Sequence, residues 1–116
     1  MKAKDVYKRE YAEYFKETLT KLMAAPSPSG YHREVNALLK ELVEKENARC
    51  VFSPKGTCEV RVEGKGGAAV GLSAHCDTLG LMVRSVSPSG EIMFVTVGGI
   101  ILPTLDGEYC TVRTRD

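Results

Sequence analysis

The chain has 116 residues, 43% of them apolar, with 16 basic and 15 acidic side chains and a formal net charge of +1. That apolar content argues for a packed domain against a disordered segment, and the balanced charge argues against the clustered basic footprint of a nucleic-acid-binding module. No apolar run approaches the roughly 20 residues that span a bilayer, and Met1-Lys2-Ala3-Lys4-Asp5 leads into a charged amphipathic stretch, not a signal region, so the expectations are no membrane partner and a cytoplasmic location.

The first expected element is an amphipathic helix over 5–24. Tyr11, Phe15, Leu19, Leu22 and Met23 recur at helical spacing on one face. Lys8, Arg9, Glu13, Lys16, Glu17 and Lys21 occupy much of the remainder, and Asp5 is placed to cap the start. Such a stripe reads as a core-packing face. Ala25-Pro26-Ser27-Pro28-Ser29-Gly30 then breaks the helix, because two prolines and a glycine cannot continue it. A second helix is expected over 31–46, with Val35, Leu38, Leu39, Leu42 and Val43 on one face and Ser29 as its cap. His32 stands in its first turn, where a solitary histidine reads as a solvated or capping side chain.

From Ala48 the period changes to that of strands. Segments 49–52 and 58–62 read as a strand pair joined around Ser53-Pro54-Lys55-Gly56. Gly64-Lys65-Gly66-Gly67 is a turn; it precedes no helix and lacks phosphate-loop spacing. The run 68–74 is continuously apolar and reads as a central strand covered on both faces. Segments 81–86 and 91–97 flank Ser87-Pro88-Ser89-Gly90 as a β-hairpin. Gly98-Gly99 ends it, Ile100-Ile101-Leu102-Pro103 is apolar, 109–113 reads as one more short strand, and 114–116 opens a turn. Two regimes emerge. Residues 1–79 open an α/β layered domain, and residues 80–116 begin an antiparallel β-barrel or sandwich.

The tripeptide His75-Cys76-Asp77 closes the apolar run. It puts an imidazole and a carboxylate at the C-terminal end of the expected strand, the edge where open α/β sheets hold ligands and metals. An imidazole can bind an ion while a nearby carboxylate fixes its tautomer. Cys50, Cys58, Cys76 and Cys110 contain no Cys-x-x-Cys pair, so they read as free thiols and not as a zinc site or a disulfide framework.

The string Ser73-Ala74-His75-Cys76-Asp77-Thr78-Leu79-Gly80-Leu81-Met82-Val83 resembles the metal-binding segment of the tetrahedral aminopeptidase family. These are dinuclear metallopeptidases, also called glutamyl or deblocking aminopeptidases and cellulase-M-like proteins. Pro28-Ser29-Gly30, Gly90 with Val97-Gly98-Gly99, and Gly107-Glu108-Tyr109-Cys110-Thr111-Val112 extend the resemblance along nearly the whole chain.

The resemblance implies an α/β catalytic domain interrupted by an inserted β-barrel domain involved in dimerisation, with 1–79 in the first and 80–116 opening the second. It implies that His75 is a ligand to one of two divalent ions, zinc or cobalt, and that Asp77 is the catalytic carboxylate supporting that histidine. The family's bridging aspartate, glutamate general base, second acidic pair and final histidine follow the insert and have no counterpart here. The implied function is the N-terminal portion of a metal-dependent aminopeptidase, removing N-terminal residues of peptides with metal-activated water. The 116-residue chain alone is then expected to be inactive and to hold no ion tightly. A peptide substrate and a homo-oligomer are the implied partners. Physical reasoning also leads to self-association, since an unpaired edge at 68–74 recruits another chain. The competing reading is a non-enzymatic β-rich assembly module that uses the Ile100-Ile101-Leu102 patch, and a cysteine-based zinc domain is the weakest.

Overall fold

A computed structural model describes residues 9–114. The expected cap Asp5, the helical turn around it with Lys8, and the end of the expected turn at 115–116 lie outside the described residues.

Helix α1 (Arg9–Ala24) ends where the prolines demand. Its apolar stripe does not pack as expected: Tyr11, Phe15, Leu19 and Met23 are all exposed, and no described element covers them. Helix periodicity reports which side chains share a face, but a second layer has to be present before that face is buried.

Helix α2 (Arg33–Lys45) does find a layer. It packs on strands β1 (Cys50–Phe52) and β2 (Cys58–Val60), which pair antiparallel with Cys50 opposite Val60 and Phe52 opposite Cys58. Val35, 2% exposed, is the buried apolar centre of this unit. Leu38, Leu39, Leu42 and Val43 are half-buried around it. The expectation that Ser29 caps α2 is corrected. His32 occupies the N-cap position, no side chain caps the helix, and Ser29 bonds elsewhere. Nor does His32 cap: its ring lies over Gly56, in the β1–β2 turn.

That turn follows from its residues. Proline fixes the first turn position, and glycine takes the left-handed conformation that closes a three-residue hairpin loop. Gly56 has φ +86°, its N–H donates to Ser53 O at 2.9 Å, and Ser53 N–H donates to Thr57 O at 2.9 Å. Asn36 Nδ2 donates to Gly56 O at 3.1 Å and ties the turn to α2. A Cβ at Gly56 would sit 2.5 Å from the His32 ring. Gly56→Ala is therefore expected to lower stability by about 1–2 kcal/mol from the backbone alone, and to displace His32. Urea unfolding followed by circular dichroism checks this, and an unmoved midpoint would show that the turn does not hold the α2–β1–β2 unit together.

Strands β3 (Gly80–Val86) and β4 (Ile92–Val97) form the expected hairpin, pairing antiparallel with Gly80 opposite Val97 and Val86 opposite Ile92. The register shifts between Val83 and Ser85, a one-residue bulge. The turn repeats the first one's chemistry: Ser87 N–H donates to Glu91 O at 2.9 Å, Gly90 N–H donates to Ser87 O at 3.0 Å, and Gly90 has φ +88°.

Two expected strands are absent. Residues 68–74 enter no ladder, and Val70 and Leu72 are 87% and 97% exposed. A strand apolar on both faces needs partner strands and covering layers, and here each hairpin pairs within itself. Residues 68–74 therefore do not pair with β2. Segment 109–113 is also outside any strand. After β4 the chain makes a 3-10 turn at Leu102–Leu105, leaving Ile101 and Leu102 exposed. Arg113 then forks onto Glu34 of α2, Nη1 to Oε1 at 3.1 Å and Nη2 to Oε2 at 3.4 Å, while Tyr31 OH donates to the same carboxylate at 2.9 Å. The radius of gyration, 18.7 Å, exceeds the roughly 13 Å of a compact domain this size. Two helices and two antiparallel strand pairs thus agree with the α/β class, in an open arrangement.

Candidate active site at His75 and Asp77

The loop between α1 and α2 builds this site. Ser27 precedes Pro28, and a residue before proline is steered to extended backbone. Its carbonyl is thereby free to accept from Thr78 N–H at 2.9 Å, and Pro28 and Thr78 form an isolated parallel bridge. Ser27 Oγ donates to Cys76 O at 2.7 Å, and Ser27 is the one buried polar residue among the described residues, 2% exposed. These contacts hold Cys76 and Thr78 from both sides of the aspartate. Gly80 lets the loop come this close, because a Cβ there would lie 2.5 Å from Pro28 Cβ.

Asp77 receives two bonds on this frame. Ser29 Oγ donates to Oδ2 at 2.6 Å, and His75 Nδ1 lies 2.9 Å from Oδ1. The Ser29 hydrogen bond first, and the His75 bond second, hold the Asp77 carboxyl below the usual carboxylate range, against a small opposing effect of burial. A lowered folded-state value contributes stability that is present above the ordinary carboxylate range and is lost as pH falls through the lowered value. Both side chains are open to water, so the His75–Asp77 contact adds little to stability. Its contribution is orientation. Ser29→Ala is expected to return the Asp77 titration toward the ordinary value, as read by carboxyl-carbon NMR. An unmoved titration would mean that the serine does not hold the carboxylate.

In the neutral tautomer that donates Nδ1–H to Asp77, Nε2 keeps its lone pair, on a side chain 87% exposed. The ring is exposed, and the Ser27–Ser29 loop holds its partner Asp77, where the expectation was the end of a strand. This arrangement supplies one imidazole donor with its supporting carboxylate. A hydrolytic zinc centre takes about three protein ligands, and among the described residues no group of three or more His, Cys, Asp or Glu side chains could hold an ion. The residues present thus fit one ligand position and not a whole centre, and the same result gives no support to a cysteine-based zinc domain. Cys76 is half-buried between His75 and Asp77. His32 lies at Gly56, apart from the Asp77 bonds.

Ser27, Pro28, Ser29 and Gly80 were not legible as site residues from composition or period. Their signal was indirect: two hydroxyls alternating with two prolines, in a loop too polar for a core and too short for a linker.

Residues 56–116, more than half of the chain, match the M42 glutamyl aminopeptidase family. The chain belongs to that family. Among similar proteins, YhfE of Bacillus subtilis (strain 168) is 30% identical over 99 residues, covering 84% of this chain and 29% of the relative. FrvX of Escherichia coli (strain K12) is 31% identical over 99 residues, covering 85% and 28%. Both carry aminopeptidase names. The M42 chain described here thus spans less than a third of the length of these relatives. The M42 match includes the His75-Asp77 segment, Gly80 and the whole β3–β4 hairpin. No helix among the described residues is long and apolar enough to cross a membrane.

Proposed function

We propose that this chain is the opening portion of a metal-dependent aminopeptidase, with His75 as a ligand to one of two divalent ions, zinc or cobalt, and Asp77 as the carboxylate that fixes its tautomer. The observation that carries the reading is the Ser29–Asp77–His75 chain of hydrogen bonds on a motif inside the M42 match. A carboxylate on one ring nitrogen, leaving the other free, is how proteins prepare a histidine to bind a metal. An ion held there supplies Lewis acidity and makes water a competent nucleophile near neutral pH.

In this reading 1–79 belongs to the catalytic domain and 80–116 opens an inserted β-barrel domain. The substrate is a peptide with a free N-terminus, and the setting is the cytoplasm. Homo-oligomer formation accords with the apolar side chains left exposed on β3 and β4, such as Met82, Val83, Met93 and Phe94. Light scattering at rising concentration is expected to show association, and a strictly monomeric chain counts against it.

The test is a chimera in which this chain replaces the matched segment of the Bacillus subtilis relative. The chimera is expected to cleave aminoacyl p-nitroanilides in a chelator-sensitive way. The 116-residue chain alone, with zinc or cobalt added, is expected not to. Chelator-sensitive turnover by the chain alone, or an inactive but folded chimera beside an active parent, overturns the proposal.

A further inference from the structure

We propose that Cys50 and Cys58 form a dithiol modification site, which low-molecular-weight disulfides oxidise reversibly to a Cys50–Cys58 bond. The ribbon register carries the inference. Cys50 faces Val60 and Cys58 faces Phe52, so the two cysteines are diagonal neighbours on one face of the β1–β2 ribbon. Both are half-buried on that face, while Val51 and Glu59 between them are exposed. All four thiols are free, and Cys50 and Cys58 are close enough for Cys50 to act on the Cys58 thiol.

Diagonal neighbours lie about 7–8 Å apart, just outside the roughly 4.4–6.8 Å between Cα atoms of relaxed disulfides. Closing the bond therefore draws the ribbon in slightly. A ribbon this short, with few ladder bonds, can follow. The strain that remains makes the bond reducible, which is the property of labile disulfides as opposed to structural ones.

The exchange balances with an oxidised disulfide such as glutathione disulfide as co-reactant. Burial, and then the nearby Cys50, push the Cys58 thiol up, so it remains protonated longer. Taking Cys50 as the first thiol to react, its sulfur bonds to one sulfur of the small disulfide, whose other half leaves as a thiolate and takes up the proton Cys50 gave. Cys58 then loses its proton and attacks the Cys50 sulfur of the mixed disulfide. The second small thiolate leaves and takes that proton. Two protein thiols are oxidised and one small disulfide is reduced to two thiols. Cys76 is near enough to act on Cys58 and is the competing partner.

The whole chain is equilibrated in glutathione buffers of rising oxidised fraction, quenched with acid, alkylated and mapped by mass spectrometry. The expected result is a fall from four alkylated thiols to two, with residues 50 and 58 cross-linked, unchanged by Cys76→Ser or Cys110→Ser and reversed by reduced glutathione. Cys58→Ser is expected to stop at a glutathione adduct on Cys50. In concentrated urea the share of the 50–58 pair is expected to fall to the modest preference that its short loop alone gives. Four free thiols at every ratio, a bond through Cys76 or Cys110 instead, or the same pairing preference in urea, overturns the inference.

Discussion

His75→Ala in the chimera is expected to lower kcat/KM for aminoacyl p-nitroanilides by more than about 100-fold, beyond the 10–100-fold that loss of a supporting partner costs a metal site. The substitution removes the only imidazole nitrogen that the Asp77 arrangement turns outward. The ring is 87% exposed, so its loss leaves no cavity and should not disturb folding. Circular dichroism should match the parent while bound metal falls. Activity retained within a few-fold, with metal content unchanged, would falsify the ligand role.

Asp77→Asn is expected to cost about 10–100-fold in the same assay, with folding intact. The carboxylate accepts on both oxygens, from Ser29 and from the His75 ring. An asparagine has one acceptor and one donor group. If its oxygen keeps Ser29, its amide faces Nδ1 and drives the proton to Nε2, the nitrogen that has to stay free. If its oxygen keeps His75, the Ser29 hydroxyl has to turn from donor to acceptor, and both bonds lose the strength that a carboxylate's charge gives them. Nitrogen-15 NMR of the ring distinguishes the two, and Asp77→Glu, which keeps both acceptors on a longer stem, is expected to retain more activity than Asp77→Asn. An asparagine variant as active as the parent, with its tautomer unchanged, would mean that the carboxylate does not position the ring.

The two hairpins, helix α2 and the His75-Asp77 motif could be read from the chain because their determinants are local. Ser-Pro-x-Gly sets a turn within its own residues, and the Val35 face repeats at the period of a helix. Contacts that cross the chain were a different matter. Ser29 has the residue type and position of a helix cap, and its hydroxyl instead reaches a carboxylate 48 residues away. Gly80 reads as a bend, and its missing side chain makes room for Pro28.

Local chemistry along the chain dictates where it turns, which faces are apolar, and that an imidazole and a carboxylate stand two residues apart. Tertiary structure decided that the Ser27–Ser29 loop clamps that pair, that 68–74 stays out of any ladder, and that the α1 stripe remains exposed. Spacing along a chain fixes what side chains share a face. Burial and pairing depend on whether a second surface arrives to meet that face, and nothing in the period of the first surface encodes that arrival.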